Sequence, residues 1–248
     1  MRAAPDANAM RIVAIIPTRW GSTRFPGKAL TPLLGKAMVA HVWEKAIATK
    51  GIDDVIVATD DERIVRAVEE IGGHVEMTRA DHDSGSDRIA EVAERIEADA
   101  IINVQGDEPL VRSADLSRLA ELMRNDPDVQ VASLCHAIPA SEAANPNRVK
   151  VVRNARGDAL YFSRSLIPHP RDERHARYWQ HAGVYAYRRE ALLAFPALPV
   201  PPEERAEALE QLRFLAAGIS IRLIETEPSG PGVDTPEDVS TVEKLLGG

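Results

Sequence analysis

The chain has 248 residues, 44% of them hydrophobic and 27% charged, which is room for one or two domains at roughly 150 residues each. A net charge of −8 argues against a general nucleic-acid binder, which needs a basic face, but leaves room for a local basic pocket. The single Cys135 excludes an intrachain disulfide and fits a reducing cytoplasm. It lies in the apolar run Val131–Ile138, where a thiol behaves as a small hydrophobe.

Met1–Ala9 is polar and alanine-rich with no apolar core, so it reads as a loose extension through about residue 10 and not as a signal peptide. No apolar stretch approaches the ~20 residues of a membrane span. Strands and helices then alternate. Ile12–Ile16 is a short apolar strand, followed by a loop and a helical pattern from about Ala37 to Lys50. Val55–Thr59 is the next strand. Asp60 and Asp61 are placed to cap a helix over Glu62–Ile71, which Gly72-Gly73 stops. Val75–Met77 reads as a strand, Ser86–Ile96 as a helix and Ala100–Val104 as a buried parallel strand apart from Asn103. Ser113–Asn125 is helical and Val131–His136 extended.

The rhythm changes after Ile138. Val149–Arg153 and Ala159–Arg164 flank a turn containing Gly157, the pattern of a hairpin. Pro168–Trp179 is charged and proline-punctuated, an exposed loop. His181–Arg188 alternates like a strand, Glu203–Ala217 is helical with Gly218 as its stop, Ile219–Glu225 is a strand, and a last helix spans about Pro236 to Leu246. The sequence predicts an α/β fold, a mostly parallel central sheet flanked by helices with a smaller antiparallel lobe. This gives one domain over 11–248, with a nucleotide side near 11–138, a lobe near 139–225 and a terminal helix start within 232–248.

Two segments carry the chemistry. Ile15–Lys28 places Arg19, Arg24 and Lys28 on a glycine-bearing loop behind a strand; Val104-Gln105-Gly106-Asp107-Glu108-Pro109 sets an acid after another. Cations with backbone amides can cradle a polyphosphate, and a solvated basic loop is the alternative. The P-loop template fails, because five residues separate Gly21 from Gly27 and Lys28 is followed by Ala29, with no hydroxyl for a metal. The dinucleotide fingerprint fails for want of a third glycine. Zinc spacing and the nucleophile elbow are absent. Asp234 precedes a strong helix start, Thr235-Pro236-Glu237-Asp238, and on position alone it is simply a residue before a cap.

The loop resembles the Ile-Pro-Ala-Arg-x-x-Ser-x-Arg-x-Pro-Gly-Lys signature of the 3-deoxy-D-manno-octulosonate (Kdo) cytidylyltransferases. The resemblance continues in order through Met77–His82, Ser84-Gly85-Ser86-Asp87-Arg88, Asn103–Pro109, Asn145–Asn147, Ala159–Arg164, Leu209–Arg213 and Gly232–Asp238. Thr18 in place of alanine, Trp20-Gly21, and a short stretch between Pro168 and Gln180 are departures from it. The resemblance implies a cytoplasmic enzyme, acting as a homodimer, that joins CTP to Kdo with Mg2+ held by Asp107 and Asp234. It puts Thr18, Arg19, Arg24, Lys28, Arg79, Ser86, Asp87 and Gln105 on the nucleotide, with Lys28 also catalytic. Arg164, His181, Glu210 and Gln211 fall on the sugar side. Several of these have plain alternatives: Ser84 or Ser86 as a helix cap, His181 as a structural histidine, Glu210 as a solvated helix residue. Two other readings stand beside the family's reaction: a related keto-acid sugar (8-amino-Kdo or sialate) as acceptor, and a non-catalytic nucleotide binder on the same fold.

Overall fold

The structure, a computed structural model, describes residues 10–21, 25–82 and 84–247. The first half is built of strand–helix units: β1 (Ile12–Thr18), a two-stranded ribbon of β2 (Pro32–Leu33) and β3 (Lys36–Ala37), α1 (Met38–Ile47), β4 (Asp54–Thr59), α2 (Glu62–Glu70), β5 (His74–Met77), α3 (Gly85–Arg95), β6 (Ala100–Asn103) and α4 (Ser113–Asn125). β1 lies parallel between β4 and β6, in register Val13 with Asp54 and Ile12 with Ala100. Its Ile12, Ala14 and Ile16 enter one core and its Val13 and Ile15 the other. A strand covered on both faces has no use for alternation, which is why these strands read as continuous apolar runs.

The second half comprises β7 (Val131–Ile138), α5 (Ala140–Ala143), β8 (Lys150–Arg153), β9 (Ala159–Ser163), β10 (Tyr178–Arg188), α6 (Arg189–Ala194), α7 (Pro202–Glu207), α8 (Leu212–Ala216), β11 (Ile221–Glu225) and α9 (Pro236–Gly247). The sheet order is β11-β7-β10-β6-β1-β4-β5. β10 runs antiparallel to both β6 and β7, and an irregularity between Ala182 and Tyr185 shifts its register. The β8–β9 hairpin hangs from β10 through Lys150 opposite Gln180. In its turn the Asn154 side-chain oxygen accepts from the amides of Arg156 and Asp158, a local bond that asparagine forms readily.

Three expectations are corrected. Asp61 alone caps α2, accepting from the Arg63 amide. Asp60 instead accepts from buried Arg88 at 2.8 Å and from the Trp20 amide at 3.3 Å. The exposed loop ends before Tyr178 and Trp179, which open β10, and Trp179 carries the Arg153 guanidinium 3.8 Å over its ring. The helix expected over Glu203–Ala217 is two short helices broken at Ala208, whose φ is +50°. Helical periodicity survives such a break because the apolar residues on either side are still buried, so the pattern conceals it. The short α5 and α6 were not expected either; each is too brief for a periodic signal.

Candidate active site

Between β6 and β1 the strand order reverses, and open α/β sheets bind ligands in the crevice outside the carboxyl ends of strands at such a point. A cleft of about 330 Å³ opens there, walled by Thr18, Arg19 and Lys28 from one side, Gln105 and Asp107 from the other, and Asp234. The loop after β1 folds back when the Gly27 amide donates to the Trp20 carbonyl at 2.9 Å. Gly27 has φ +70°, and a Cβ there would sit 2.7 Å from the Trp20 ring. Only glycine satisfies both constraints. The Arg63 guanidinium lies 3.2 Å over the same ring, and the 3-10 turn Lys28–Leu30 begins immediately after, so Trp20 and Gly27 aim Lys28 into the cleft. Arg24 lies outside the described residues.

Lys28 Nζ donates to Asp107 Oδ2 at 2.5 Å, to the Val233 carbonyl at 3.2 Å and to Asp234 Oδ1 at 3.5 Å. Two carboxylates 127 positions apart thus reach one ammonium. Three backbone facts bring them there. The Val233 amide donates to the Asp107 carbonyl at 2.9 Å. Gly232 packs so closely that a Cβ would lie 3.0 Å from the same carbonyl, and a Cβ on Gly106 would overlap Thr18 and come within 3.0 Å of the Pro17 carbonyl. Val233 and Val242 join Leu33 and Met38 in a small core that seats α9. The Asp238 carboxylate accepts from the amides of Asp234 and Thr235 at 3.0 and 2.8 Å and from the Thr235 hydroxyl at 3.0 Å, and these bonds fix the residue before the helix. Burial, reinforced by the neighbouring charge of Asp107, pushes the Glu108 carboxyl up to about 7.

A second hollow of about 220 Å³ shares Gly85, Gln105 and Glu210 with the cleft. Asn103, Tyr185 and Tyr187 line it, with Gln211 at its edge. Glu210 accepts from Ser86 and shares the Ser84 hydroxyl with Asp87; burial raises its carboxyl while those bonds pull it back. Ser84 caps α3 by accepting from the Asp87 amide at 3.1 Å, and its hydroxyl donates to the Asp87 carboxylate at 2.8 Å. Asp87 is therefore engaged at the cap. Gln105 donates to Asn103 at 3.2 Å.

Four expected site residues lie off both walls, among them Asp87, which is held at the α3 cap. Arg79 is 68% exposed beside Asp81. Arg164 directs its guanidinium at backbone carbonyls. His181 is buried behind Tyr185, 2.9 Å from Ser133, and burial pushes its imidazole down to about 3. Several wall residues carry no assignment from the sequence. Arg88 and His82 line the cleft, paired with Asp60 and Glu91. Tyr185 and Tyr187 line the hollow; two tyrosines in alternation at the centre of a strand share a face, and that was the available signal. For Arg88 the signal was its place in the Ser84–Arg88 segment of the resemblance, because an arginine in an amphipathic helix otherwise reads as solvated.

The profile of the cytidylyltransferase family matches residues 13–221. The chain is 52% identical over 236 residues to the 3-deoxy-manno-octulosonate cytidylyltransferase of Escherichia coli, covering 95% of this chain and 96% of that one. It is 48% identical over 249 residues to the protein of the same name from Geobacter metallireducens, covering 95% and 98%. A solved CMP:2-keto-3-deoxy-manno-octonic acid synthetase complexed with CTP superposes with a TM-score of 0.94 at 52% identity, over 96% of this chain and 98% of that one. The loop, the paired aspartates and the full-length likeness agree, and the chain belongs to the 3-deoxy-manno-octulosonate cytidylyltransferase family.

Proposed function

We propose that this protein activates Kdo with CTP, giving CMP-Kdo and pyrophosphate. The observation that carries the reading is the convergence of Asp107 and Asp234 on Lys28 at the sheet's switch point, in a chain half identical to a relative solved with CTP. The anomeric hydroxyl oxygen of Kdo bonds to the α-phosphorus and releases its proton to solvent as the bridge to the β-phosphate breaks, and pyrophosphate leaves with that electron pair. No covalent enzyme intermediate is needed, so positioning and charge neutralisation carry the catalysis. Arg19 and Lys28 hold the phosphates; Gln105 and the backbone near Gly106 face the pyrimidine side. Glu210, Gln211 and the two tyrosines face the sugar.

Two hard carboxylates that already share one cation fit a magnesium ion, which takes few protein ligands and completes its shell with water and phosphate. When bound by Asp107 and Asp234, magnesium would neutralise phosphate charge and acidify the sugar hydroxyl. Among the described residues no group of three or more His, Cys, Asp or Glu gathers to hold a metal by protein alone, and no helix is long and apolar enough to cross a membrane. A cytoplasmic homodimer supplying lipopolysaccharide synthesis in a Gram-negative cell completes the proposal.

The test is a panel of keto-acid sugars against all four nucleoside triphosphates, reading released pyrophosphate. CTP with Kdo should dominate. Purines are excluded by size, and UTP leaves buried groups unpaired. Equal turnover with ATP contradicts the nucleotide assignment; faster turnover with 8-amino-Kdo or sialate transfers the assignment to that sugar.

A further inference from the structure

We propose that Glu207 is a positioning residue for the sugar side of the site, acting through the turn that carries Glu210 and Gln211. The proposal rests on the reaction assigned above. Apolar periodicity favours one helix across 203–217, yet the chain breaks at Ala208 in the left-handed region, φ +50° and ψ +54°. A residue with a Cβ adopts that conformation only when its surroundings hold it there.

The hold is visible. One Glu207 carboxylate oxygen accepts from the Ser163 hydroxyl at 2.5 Å and the other from the Arg164 amide at 2.8 Å. Arg164 Nε donates to the Glu207 carbonyl at 2.7 Å, and a terminal guanidinium nitrogen reaches the Ala208 carbonyl at 3.4 Å. Beneath them the fully buried Lys150 donates to the carbonyls of Arg164 and Asn145 at 2.7 and 2.9 Å. The end of β9 is thereby pinned and straps the end of α7 to it. Glu204 and Arg213 pair on the buried side across the same break, at 2.8 Å and 2.5 Å.

The direction of the side chains makes this matter. In an unbroken helix, residues 207, 210 and 211 share one face, so Glu210 and Gln211 would follow Glu207 toward β9. The break frees them to wall the hollow instead, with Glu210 against Ser84 and Ser86. Arg164, too, serves the turn here, giving two of its five N–H groups to the carbonyls of Glu207 and Ala208 and a third to that of Pro146.

Glu207→Ala should raise KM for Kdo at least ~10-fold, the scale of a misplaced binding group, while KM for CTP stays within about 2-fold. Ser163→Ala, which removes one donor, should move KM for Kdo in the same direction by less, and it decides the matter should Glu207→Ala fold poorly. Amide exchange over residues 208–212 should rise severalfold in both variants, a readout that needs no turnover. Unchanged KM for Kdo, equal rises in both KM values, or unchanged exchange would overturn the strap. An unsubstituted protein that does not turn over Kdo, with the exchange effect intact, would count against the reaction instead.

Discussion

Lys28 Nζ is within hydrogen-bond reach of two carboxylates and a carbonyl, and that fixes what its loss should do. Lys28→Ala removes a cation from the triphosphate and leaves Asp107 and Asp234 facing each other without it. Truncating one partner of such a contact costs about 2–5 kcal/mol, so kcat/KM for CTP should fall by at least ~30-fold with the melting temperature little changed. Wild-type kinetics would make the loop a solvated surface. His181 gives a second prediction at this scale. Its imidazole titrates at 6.5 ordinarily and at about 3 in the fold, held down by burial. Between those values the unfolded chain binds the extra proton, so stability is intact above pH 6.5 and falls as pH drops toward 3, by up to about 1.4 kcal/mol per pH unit. His181→Phe lacks this dependence. Denaturant titrations should show the difference in stability between the two proteins shrinking as pH falls through that window, and a constant difference would contradict it.

At the scale of elements, what was legible in the sequence follows from how each element is buried. β1, β4 and β6 are covered on both faces and read directly as apolar runs; α2 announced itself through Asp61 and the paired glycines. The break at Ala208 was not legible, because the forces holding it come from Ser163, Arg164 and Lys150, far away in sequence. Asp60 was misplaced for the same reason: beside Asp61 it looks like a cap, and only the fold brings Arg88 to it. The glycines of the two site loops were legible as turns but not as close approaches. Gly106→Ala should force the loop after β6 off the tip of β1, where a Cβ would overlap Thr18. Overpacking of this kind costs about 1–3 kcal/mol, visible as a lower melting temperature, and turnover should fall further than stability does because Asp107 follows directly. Unimpaired turnover in Gly106→Ala would show that the close approach does not position Asp107.

For the whole molecule, the chain gathers cations (Arg19, Lys28, Arg88) and carboxylates (Asp107, Glu210, Asp234) around one cleft. The switch point gathers loops from both halves of the sheet, and the backbone bond from Val233 to Asp107 closes the site across about half of the chain. The paired aspartates were legible only through resemblance, since Asp234 alone is a residue before a helix cap; the fold supplies the reason in the core that seats α9. If Asp107 and Asp234 serve one magnesium, removing either removes the ion, and their effects cannot add. The most direct measurement is a double-mutant cycle of Asp107→Asn and Asp234→Asn on kcat at saturating magnesium, with melting curves as the control for folding. Each single variant should lose most of the turnover, and the double variant should lose little more than either. Near-normal turnover in a single variant, or losses that add, would contradict a shared metal centre.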